Sequence, residues 1–273
     1  MKRLISSALV LVILLSSLPT ILAQPTSNAS LDNIKIPEHA IQIAEGVFSL
    51  GTVKIDGETV QGFLFVRYQQ GFAKPDGTPG KGNDKVKDEE TKYYTFNFDG
   101  LKWKNPEPYI LDAESGVSDK LTSEEIETTI SNSFSTWENG DPEGQLFNIF
   151  GEESGDETTD GVDFAAPDNK NEIYFDSIGE TGVIAFCNVW AVVRGPPRSK
   201  QIVEYDIVFD TGFAWGDADP DGDGVGDGEI MDLQNIATHE IGHALGLGDL
   251  YDEMYNAEDL DEVKEQTMYV MQD

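Results

Sequence analysis

The chain has 273 residues, of which 51 are acidic and 18 basic, giving a formal net charge of −33. This length allows one or two domains with a sizeable core. So negative a surface excludes nucleic acid and anionic membranes as partners, and it suits a protein that binds calcium or is solvated in salt or at high temperature.

The N-terminus has the layout of a secretory signal peptide. It begins Met-Lys-Arg, continues as an apolar run over residues 8–15, and reaches a small residue at Ala23. Because Ser16 and Pro19 interrupt the apolar part, cleavage after Ala23 is favoured over an uncleaved membrane anchor. We therefore expect residues 1–23 to be removed, leaving a secreted protein with no membrane attachment.

Residues 24–73 predict a small β-rich extension. Within it, the apolar segments 46–51 and 60–68 are separated by an Asp-Gly turn, which predicts a hairpin. Residues 74–92 carry proline, glycine and charge without an apolar period, so we predict a linker and a domain boundary there. Whether residues 24–92 are a removable prosegment or a permanent part of the fold is open.

An amphipathic helix is predicted next. Thr122 and Glu125 form the S/T-x-x-E capping box that begins many helices. Behind the box, four large apolar residues recur at spacings of four, four and three: Ile126, Ile130, Phe134 and Trp137. This period predicts a helix with one buried face.

The middle of the chain predicts strands. Residues 171–175 form a short apolar stretch, and the longer run 182–190 holds the single cysteine, Cys187, which we expect to be a packed thiol. Between residues 203 and 210 apolar and acidic residues alternate. That alternation predicts a half-buried strand.

An aspartate-rich loop follows. Four aspartates match positions one, three, five and nine of the D-x-D-x-D-G calcium loop: Asp219, Asp221, Asp223 and Asp227. Position twelve is Ile230, so the bidentate glutamate of an EF-hand is missing, yet the spacing favours calcium over a merely solvated loop. Asp232 is the predicted N-cap of a helix over about residues 233–246, which the loop would help to fix.

The most informative motif runs from His239 to Asp249. His239, Glu240 and His243 spell H-E-x-x-H, and positions four apart lie on the same face of a helix. Two imidazoles can therefore point at one metal ion, while Glu240 meets a water on that ion as general base. Gly246 can adopt the positive φ that ends a helix, and the turn would return Asp249 as a third ligand.

With residues 266–269 (Gln-Thr-Met-Tyr) downstream, this motif resembles that of the metzincin metallopeptidases, whose signature is H-E-x-x-H-x-x-G-x-x-H followed by a Met-turn. The matrixin branch is the most similar, and the resemblance covers residues 93–273. Most metzincins have a third histidine at the position of Asp249. An aspartate at this position resembles the snapalysin-type peptidases.

The resemblance implies an α+β fold, with a twisted mixed β-sheet, a long first helix and an active-site helix, preceded here by the β-rich extension. It also implies a zinc ion and a protein or peptide substrate. Met268 would form the floor under the zinc, and Tyr269 would approach the oxyanion. The run 183–190 would be the exposed sheet edge along which an extended substrate pairs.

Alternatives for the third metal ligand stay open. The remaining histidine, His39, could reach the metal only through a long-range loop. In a thermolysin-like arrangement the ligand is a glutamate on a later helix, for which Glu258 and Glu262 are candidates. Gly246 and Met268 favour the metzincin arrangement.

The sequence thus predicts a secreted, monomeric zinc metalloendopeptidase with Glu240 as general base and calcium as a further cofactor. The alternative is a catalytically inactive, calcium-binding extracellular protein with a binding or structural role and a degenerate zinc motif. Two features motivate this alternative: the anionic ligand Asp249, and the end of the sequence at Asp273, where metzincins continue into another helix.

Overall fold

The computed structural model describes residues 33–69, 94–96, 101–105, 108–140, 159–220, 230–256 and 259–269. The strands in these ranges are, in chain order, β1 (Ile41–Ala44), β2 (Val47–Ile55), β3 (Glu58–Tyr68), β4 (Thr95–Phe96), β5 (Ile110–Leu111), β6 (Glu172–Asp176), β7 (Val183–Val192), β8 (Gln201–Asp210), β9 (Ala214–Gly216), β10 (Ile230–Asp232) and β11 (Leu247–Gly248). The α-helices are α1 (Ser123–Gly140), α2 (Leu233–Ala244) and α3 (Leu260–Lys264).

Seven of the strands form one mixed sheet in the order β1-β2-β3-β7-β8-β6-β5. Neighbours from β1 to β8 are antiparallel, whereas β6 runs parallel to both β8 and β5. Two small pairs lie apart from this sheet: β9 with β10, and β4 with β11. The predicted α+β class with a large mixed sheet is confirmed.

The predicted hairpin in the N-terminal extension is also confirmed. Strands β2 and β3 pair as far as Ile55 and Glu58. Between these residues Asp56 has φ 49° and Gly57 has φ 86°. Two successive positive φ values define a type I′ turn, whose twist matches that of the strands it joins.

Strand β7 lies inside the sheet, between β3 and β8, and all its residues are buried. The expectation that residues 183–190 form an exposed edge is therefore wrong. The physical reason is the N-terminal hairpin, because β3 pairs with β7 from Gln61–Ala191 to Tyr68–Val183. That pairing uses the backbone groups that an edge strand would leave free.

Helices α1 and α2 pack on one face of the sheet. The predicted capping box is present, since Thr122 N donates to Glu125 Oε2 over 2.8 Å and Glu125 N donates to Thr122 Oγ1 over 3.3 Å. At the far end of α1, Trp137 Nε1 donates to Thr238 O of α2 over 2.7 Å. The core under both helices includes Phe63, Phe65, Ile126, Ile130, Phe134, Cys187 and Ile241.

A second apolar core lies on the opposite face, where Leu64, Val66, Phe186, Trp190 and Val208 pack together. Residues 159–171 pass over this face, and Trp190 Nε1 donates to Asp163 O over 2.9 Å. Glu204 and Asp206 of β8 are only 0% and 3% exposed here. The prediction of a half-buried β8 is therefore wrong, because a covering segment shields its acidic face as well.

The predicted signal peptide (1–23) and linker (74–92) lie outside the described residues. The predicted domain boundaries stay predictions. Of the helices in the described ranges, none is both long and apolar enough to cross a membrane.

Candidate metal centre

Helix α2 carries the H-E-x-x-H residues. As predicted, Asp232 is its N-cap, and the carboxylate accepts from Asn235 N over 2.9 Å. The helix places His239 and His243 one turn apart on the same face. Both side chains, and that of Glu240 between them, are almost fully buried.

The chain turns back after α2 as predicted. Gly246 has φ 90°, and its N–H donates to His243 O over 2.8 Å. Strand β11 follows at once and pairs with β4. The turn brings Asp249 back to the two histidines, where it is 8% exposed.

Three side chains converge at this point. Asp249 Oδ1 lies 3.2 Å from His239 Nε2 and 3.5 Å from His243 Nε2. All three donor atoms are within 4.8 Å of one another, the one such group of three among the described residues. A tetrahedral zinc ion with bonds of about 2.0–2.1 Å would place its ligand atoms about 3.4 Å apart. The observed spacings fit a zinc ion.

Two backbone carbonyls orient the imidazoles. His239 Nδ1 lies 2.8 Å from Thr267 O, and His243 Nδ1 lies 3.0 Å from Leu247 O. Because a carbonyl oxygen can only accept, each Nδ1 must carry the hydrogen, and each Nε2 presents a lone pair to the centre. Burial lowers the pKa of both rings, that of His243 to about 4. Neutral imidazoles of this kind are good metal ligands.

Asp249 is held as a carboxylate. Burial raises its pKa, but His243 and His239 together outweigh burial, and the net pKa is lowered to about 2. The Tyr251 hydroxyl lies 3.1 Å from Asp249 Oδ2 and 2.8 Å from Glu45 O, and it can donate to either. Asp249 Oδ1, which faces the histidines, accepts no hydrogen bond in the described structure.

Glu240 differs from Asp249 in having no polar partner. Its side chain is 0% exposed, and neither carboxylate oxygen has a hydrogen-bond partner among the described residues. Burial raises the pKa of Glu240 well above its usual range. Since each unpaired buried polar atom is costly, this carboxyl group is kept in place at the expense of stability.

The segment around Met268 lies under α2. Met268 is buried, and its Sδ packs so closely against Gly242 that a Cβ there would clash with it. Leu250 N donates to Met268 O over 2.8 Å. Tyr269, the predicted oxyanion contact, instead places its hydroxyl 2.7 Å from Asp252 Oδ1.

The N-terminal hairpin closes the centre from the other side. Phe65 of β3 stacks on the His243 ring, with 4.3 Å between centroids and 16° between planes. Arg67 donates from Nη1 to Tyr269 O over 3.3 Å. The sequence analysis missed Phe65 and Arg67, because motif spacing carries no signal for contacts between residues about 180 to 200 positions apart. It also missed Tyr251, although this residue lies only two positions beyond Asp249.

Two of the alternative ligands are not at the centre. His39 and Glu262 are exposed and lie outside the converging group, and Glu258 is outside the described residues. Of the predicted calcium ligands the structure describes one, Asp219, whose N–H donates to Asp217 Oδ1 over 2.9 Å. The other three lie outside the described residues: Asp221, Asp223 and Asp227.

Comparisons with known proteins bear on the same region. The family model of the matrixins, peptidase family M10, matches residues 103–257. The chain is also similar to metalloendoproteinase 1-MMP of Arabidopsis thaliana, with 30% identity over 160 residues. The aligned part covers 58% of this chain and 38% of the length of that relative. No solved structure is significantly similar to the chain.

Proposed function

Since the chain belongs to the matrixin family of metallopeptidases, we propose that it is a secreted zinc endopeptidase. The convergence of His239, His243 and Asp249 at zinc-like spacings is the observation that carries the proposal. Two imidazoles and one carboxylate are an ordinary ligand set for a catalytic zinc site, which keeps a fourth position for water or substrate.

Each ligand has a role that its surroundings support. His239 and His243 would bind through Nε2, since their Nδ1 atoms face carbonyl oxygens. Asp249 would bind through Oδ1, the oxygen without a hydrogen-bond donor, while Tyr251 holds Oδ2. The carboxylate in place of a third imidazole is thus part of the proposal.

A zinc ion bound here would supply Lewis-acid activation of a water molecule and polarisation of the scissile carbonyl. Glu240 would then take a proton from the attacking water and deliver it to the departing amine nitrogen. Neither oxygen of the buried Glu240 carboxyl group has a hydrogen-bond partner among the described residues, so both are free to exchange a proton with the water. Met268 would support α2 from below through its contact with Gly242.

Metal content and proteolysis together test this function. We expect about one zinc per purified chain, which Asp249→Ala should remove or greatly weaken. Casein hydrolysis should stop with a zinc chelator and return on adding zinc. An N-terminal sequence of the active species would identify the form that works. The proposal would be contradicted if the purified chain contained no zinc, or if the rate of casein hydrolysis were unchanged by the chelator.

The complete burial of the centre favours a second candidate function. A protein whose metal motif no polypeptide can reach could serve as an extracellular, calcium-binding protein without peptidase activity. Metal analysis separates the two, since this candidate requires calcium without zinc. Calcium at Asp219, Asp221, Asp223 and Asp227 is compatible with either function and would appear as a rise in thermal stability on adding calcium.

A further inference from the structure

The three converging side chains differ in how many atoms each can offer to a metal. Each imidazole has two nitrogens, of which one already faces a carbonyl: His239 Nδ1 lies against Thr267 O and His243 Nδ1 against Leu247 O. Only Nε2 of each ring remains for a metal. A carboxylate has two equivalent oxygens instead, and it can bind a metal through one of them or through both.

The second oxygen of Asp249 matters because a catalytic zinc site combines three protein ligand atoms with one open position. Two imidazole nitrogens and a single carboxylate oxygen leave that position for water or substrate. If both oxygens bound, they would supply a fourth protein atom and compete for the same place. A carboxylate in place of a third imidazole therefore requires a group that holds its second oxygen away from the metal.

Tyr251 lies where such a group is needed. Its hydroxyl is 3.1 Å from Asp249 Oδ2, whereas Oδ1 is the oxygen that lies 3.2 Å from His239 Nε2 and 3.5 Å from His243 Nε2. The hydroxyl is also 2.8 Å from Glu45 O, between β1 and β2, so its hydrogen can be shared by two acceptors. The ionised carboxylate is the stronger of these acceptors.

We propose that Tyr251 is a positioning residue: it holds Oδ2 of Asp249, so that only Oδ1 is presented to the metal and one coordination position stays open. The inference rests on the proposed peptidase function. Thr267 O and Leu247 O limit each imidazole to one nitrogen by accepting an N–H. A carboxylate has no hydrogen to give, so it needs a donor, and the Tyr251 hydroxyl is that donor.

A second tyrosine supplies a matched control. Tyr269 is 7% exposed, and its hydroxyl lies 2.7 Å from Asp252 Oδ1. Tyr269→Phe therefore removes the same hydroxyl group from a buried tyrosine without changing the hydrogen bond to Asp249. Its effect on the metal site measures what the loss of a neighbouring hydroxyl does by itself.

The binding mode of Asp249 can be measured without catalysis. The full chain is prepared with isotopically labelled aspartate, and an infrared difference spectrum is taken between its zinc-loaded and zinc-free forms. The antisymmetric and symmetric carboxylate stretches are more widely separated when one oxygen binds the metal than when both do. We expect the wide separation in wild type and in Tyr269→Phe, and the narrow one in Tyr251→Phe.

Asp249→His removes the second oxygen and so provides a double-mutant test. Azide, a small anion that takes one coordination position, is titrated into the cobalt-substituted protein and followed by its visible spectrum. Tyr251→Phe alone should weaken azide binding about tenfold or more, since Oδ2 then competes for the open position. In the Asp249→His background the same change should alter azide binding less than about twofold.

The outcomes separate the inference from the proposed function. A narrow separation in wild type, which needs no variant, would overturn the positioning role of Tyr251, as would equal separations in wild type and Tyr251→Phe. An equal loss of azide binding in both backgrounds would also overturn it, because a merely structural tyrosine would act alike in each. In all three cases the peptidase stands.

Two further results bear on the peptidase itself. If the wild-type difference spectrum contains no aspartate band, Asp249 does not bind zinc, and the proposed ligand set fails together with the role of Tyr251. If the separation is wide in wild type and narrows in Tyr251→Phe, but casein is not hydrolysed, the positioning role is supported and the peptidase is contradicted.

Discussion

Two groups of buried polar side chains lie on opposite faces of the same sheet. One is the histidine cluster, formed by His239, Glu240, His243 and Asp249 on the side of α1 and α2. The other, the acidic cluster, comes from β6, β7 and β8 on the far side: Glu172, Asn188, Glu204 and Asp206. Burial raises the pKa of a glutamate in each cluster, so neither burial nor a shifted pKa distinguishes them.

The acidic cluster is tied to backbone amides. Asp160 N donates to Glu172 Oε1 over 2.9 Å, and Asn169 N donates to Glu204 Oε2 over 2.5 Å. Within the sheet, Glu172 N donates to Asp206 Oδ1 over 3.3 Å. Each carboxyl group of the cluster thus accepts a backbone N–H, and the bonds to Glu172 and Glu204 fix the covering segment 159–171 onto the sheet. Asn188 Oδ1 and Glu204 Oε1 have no hydrogen-bond partner among the described residues.

The histidine cluster differs in that Glu240 accepts no hydrogen bond at all among the described residues. Neither oxygen of Glu240 has a partner, and Asp249 Oδ1 has no donor, while both Nε2 atoms point at Asp249. Unsatisfied atoms that converge on one point with metal-ligating nitrogens indicate a place for a ligand, whereas carboxyl groups that are each bonded to a backbone N–H indicate a structural role. Substitutions in the two clusters should therefore affect different properties.

Glu240→Gln should have the largest effect and should act on activity alone. Loss of the general base is expected to lower kcat about 10²–10⁴-fold, while zinc content stays at the wild-type level. The measurement is casein hydrolysis by the active species, as identified by its N-terminal sequence. Glu262→Gln, on the exposed face of α3, is the control. If Glu262→Gln loses zinc instead, Glu262 would be a metal ligand, as in the thermolysin-like arrangement.

Phe65→Ala tests how much the packing of the N-terminal hairpin on the histidine cluster contributes to the stability of the fold. Phe65 is 2% exposed and packs on His243, so truncation should cost about 3–5 kcal/mol of unfolding free energy, as for other buried phenylalanines. Urea denaturation measures it. Phe65→Leu, which keeps an apolar group of similar volume, should cost about 1.5 kcal/mol or less. Equal stability of both variants and wild type would mean that the hairpin unfolds separately.

Gly242→Ala tests the contact between α2 and the Met268 segment. A Cβ at position 242 would collide with Met268 Sδ and approach Trp137, so the substitution should cost about 1–3 kcal/mol through overpacking. The control is Gly140→Ala in α1, where a Cβ would meet nothing within 4 Å. Thermal unfolding should separate the two variants. A neutral Gly242→Ala would show that Met268 is not packed against the helix.

The contrast between clusters also explains what the sequence could predict. The cap at Asp232, the helical spacing of His239 and His243, and the turn at Gly246 are local, so the chemistry of neighbouring residues determines them. The approach of Asp249 follows from that turn. Most of the histidine cluster could therefore be predicted from a stretch of the chain shorter than 20 residues.

The acidic cluster and the hairpin could not be predicted in this way. Alternation in β8 shows that its two faces differ, but it does not show that residues 159–171 cover the face of Glu204. Likewise, the apolar segment of β3 predicts a strand, but it does not predict which strand will pair with it. Pairing with β7 joins residues more than 100 positions apart, and such pairing depends on the packing of the whole sheet.

Glu204→Gln should act on stability alone and in a pH-dependent way. Burial raises the pKa of Glu204 from 4.5 to about 8 in the folded protein, so the folded state prefers the protonated form. Its stabilisation is complete below pH 4.5 and is lost as pH rises towards 8. The neutral glutamine avoids this loss, and since one pKa unit corresponds to about 1.4 kcal/mol, the variant should be more stable than wild type by about 1–3 kcal/mol at pH 8.

The measurement is urea denaturation of wild type and Glu204→Gln at pH 5 and at pH 8. Near pH 5 the two should differ little, since Glu204 is then mostly protonated in the folded state. Glu172, whose pKa burial raises to about 7, keeps some pH dependence of the same sign in the variant. Equal stability of the variant and wild type at pH 8 would show that Glu204 is ionised when folded. The acidic cluster would then resemble the histidine cluster in holding a charge that needs a counter-ion.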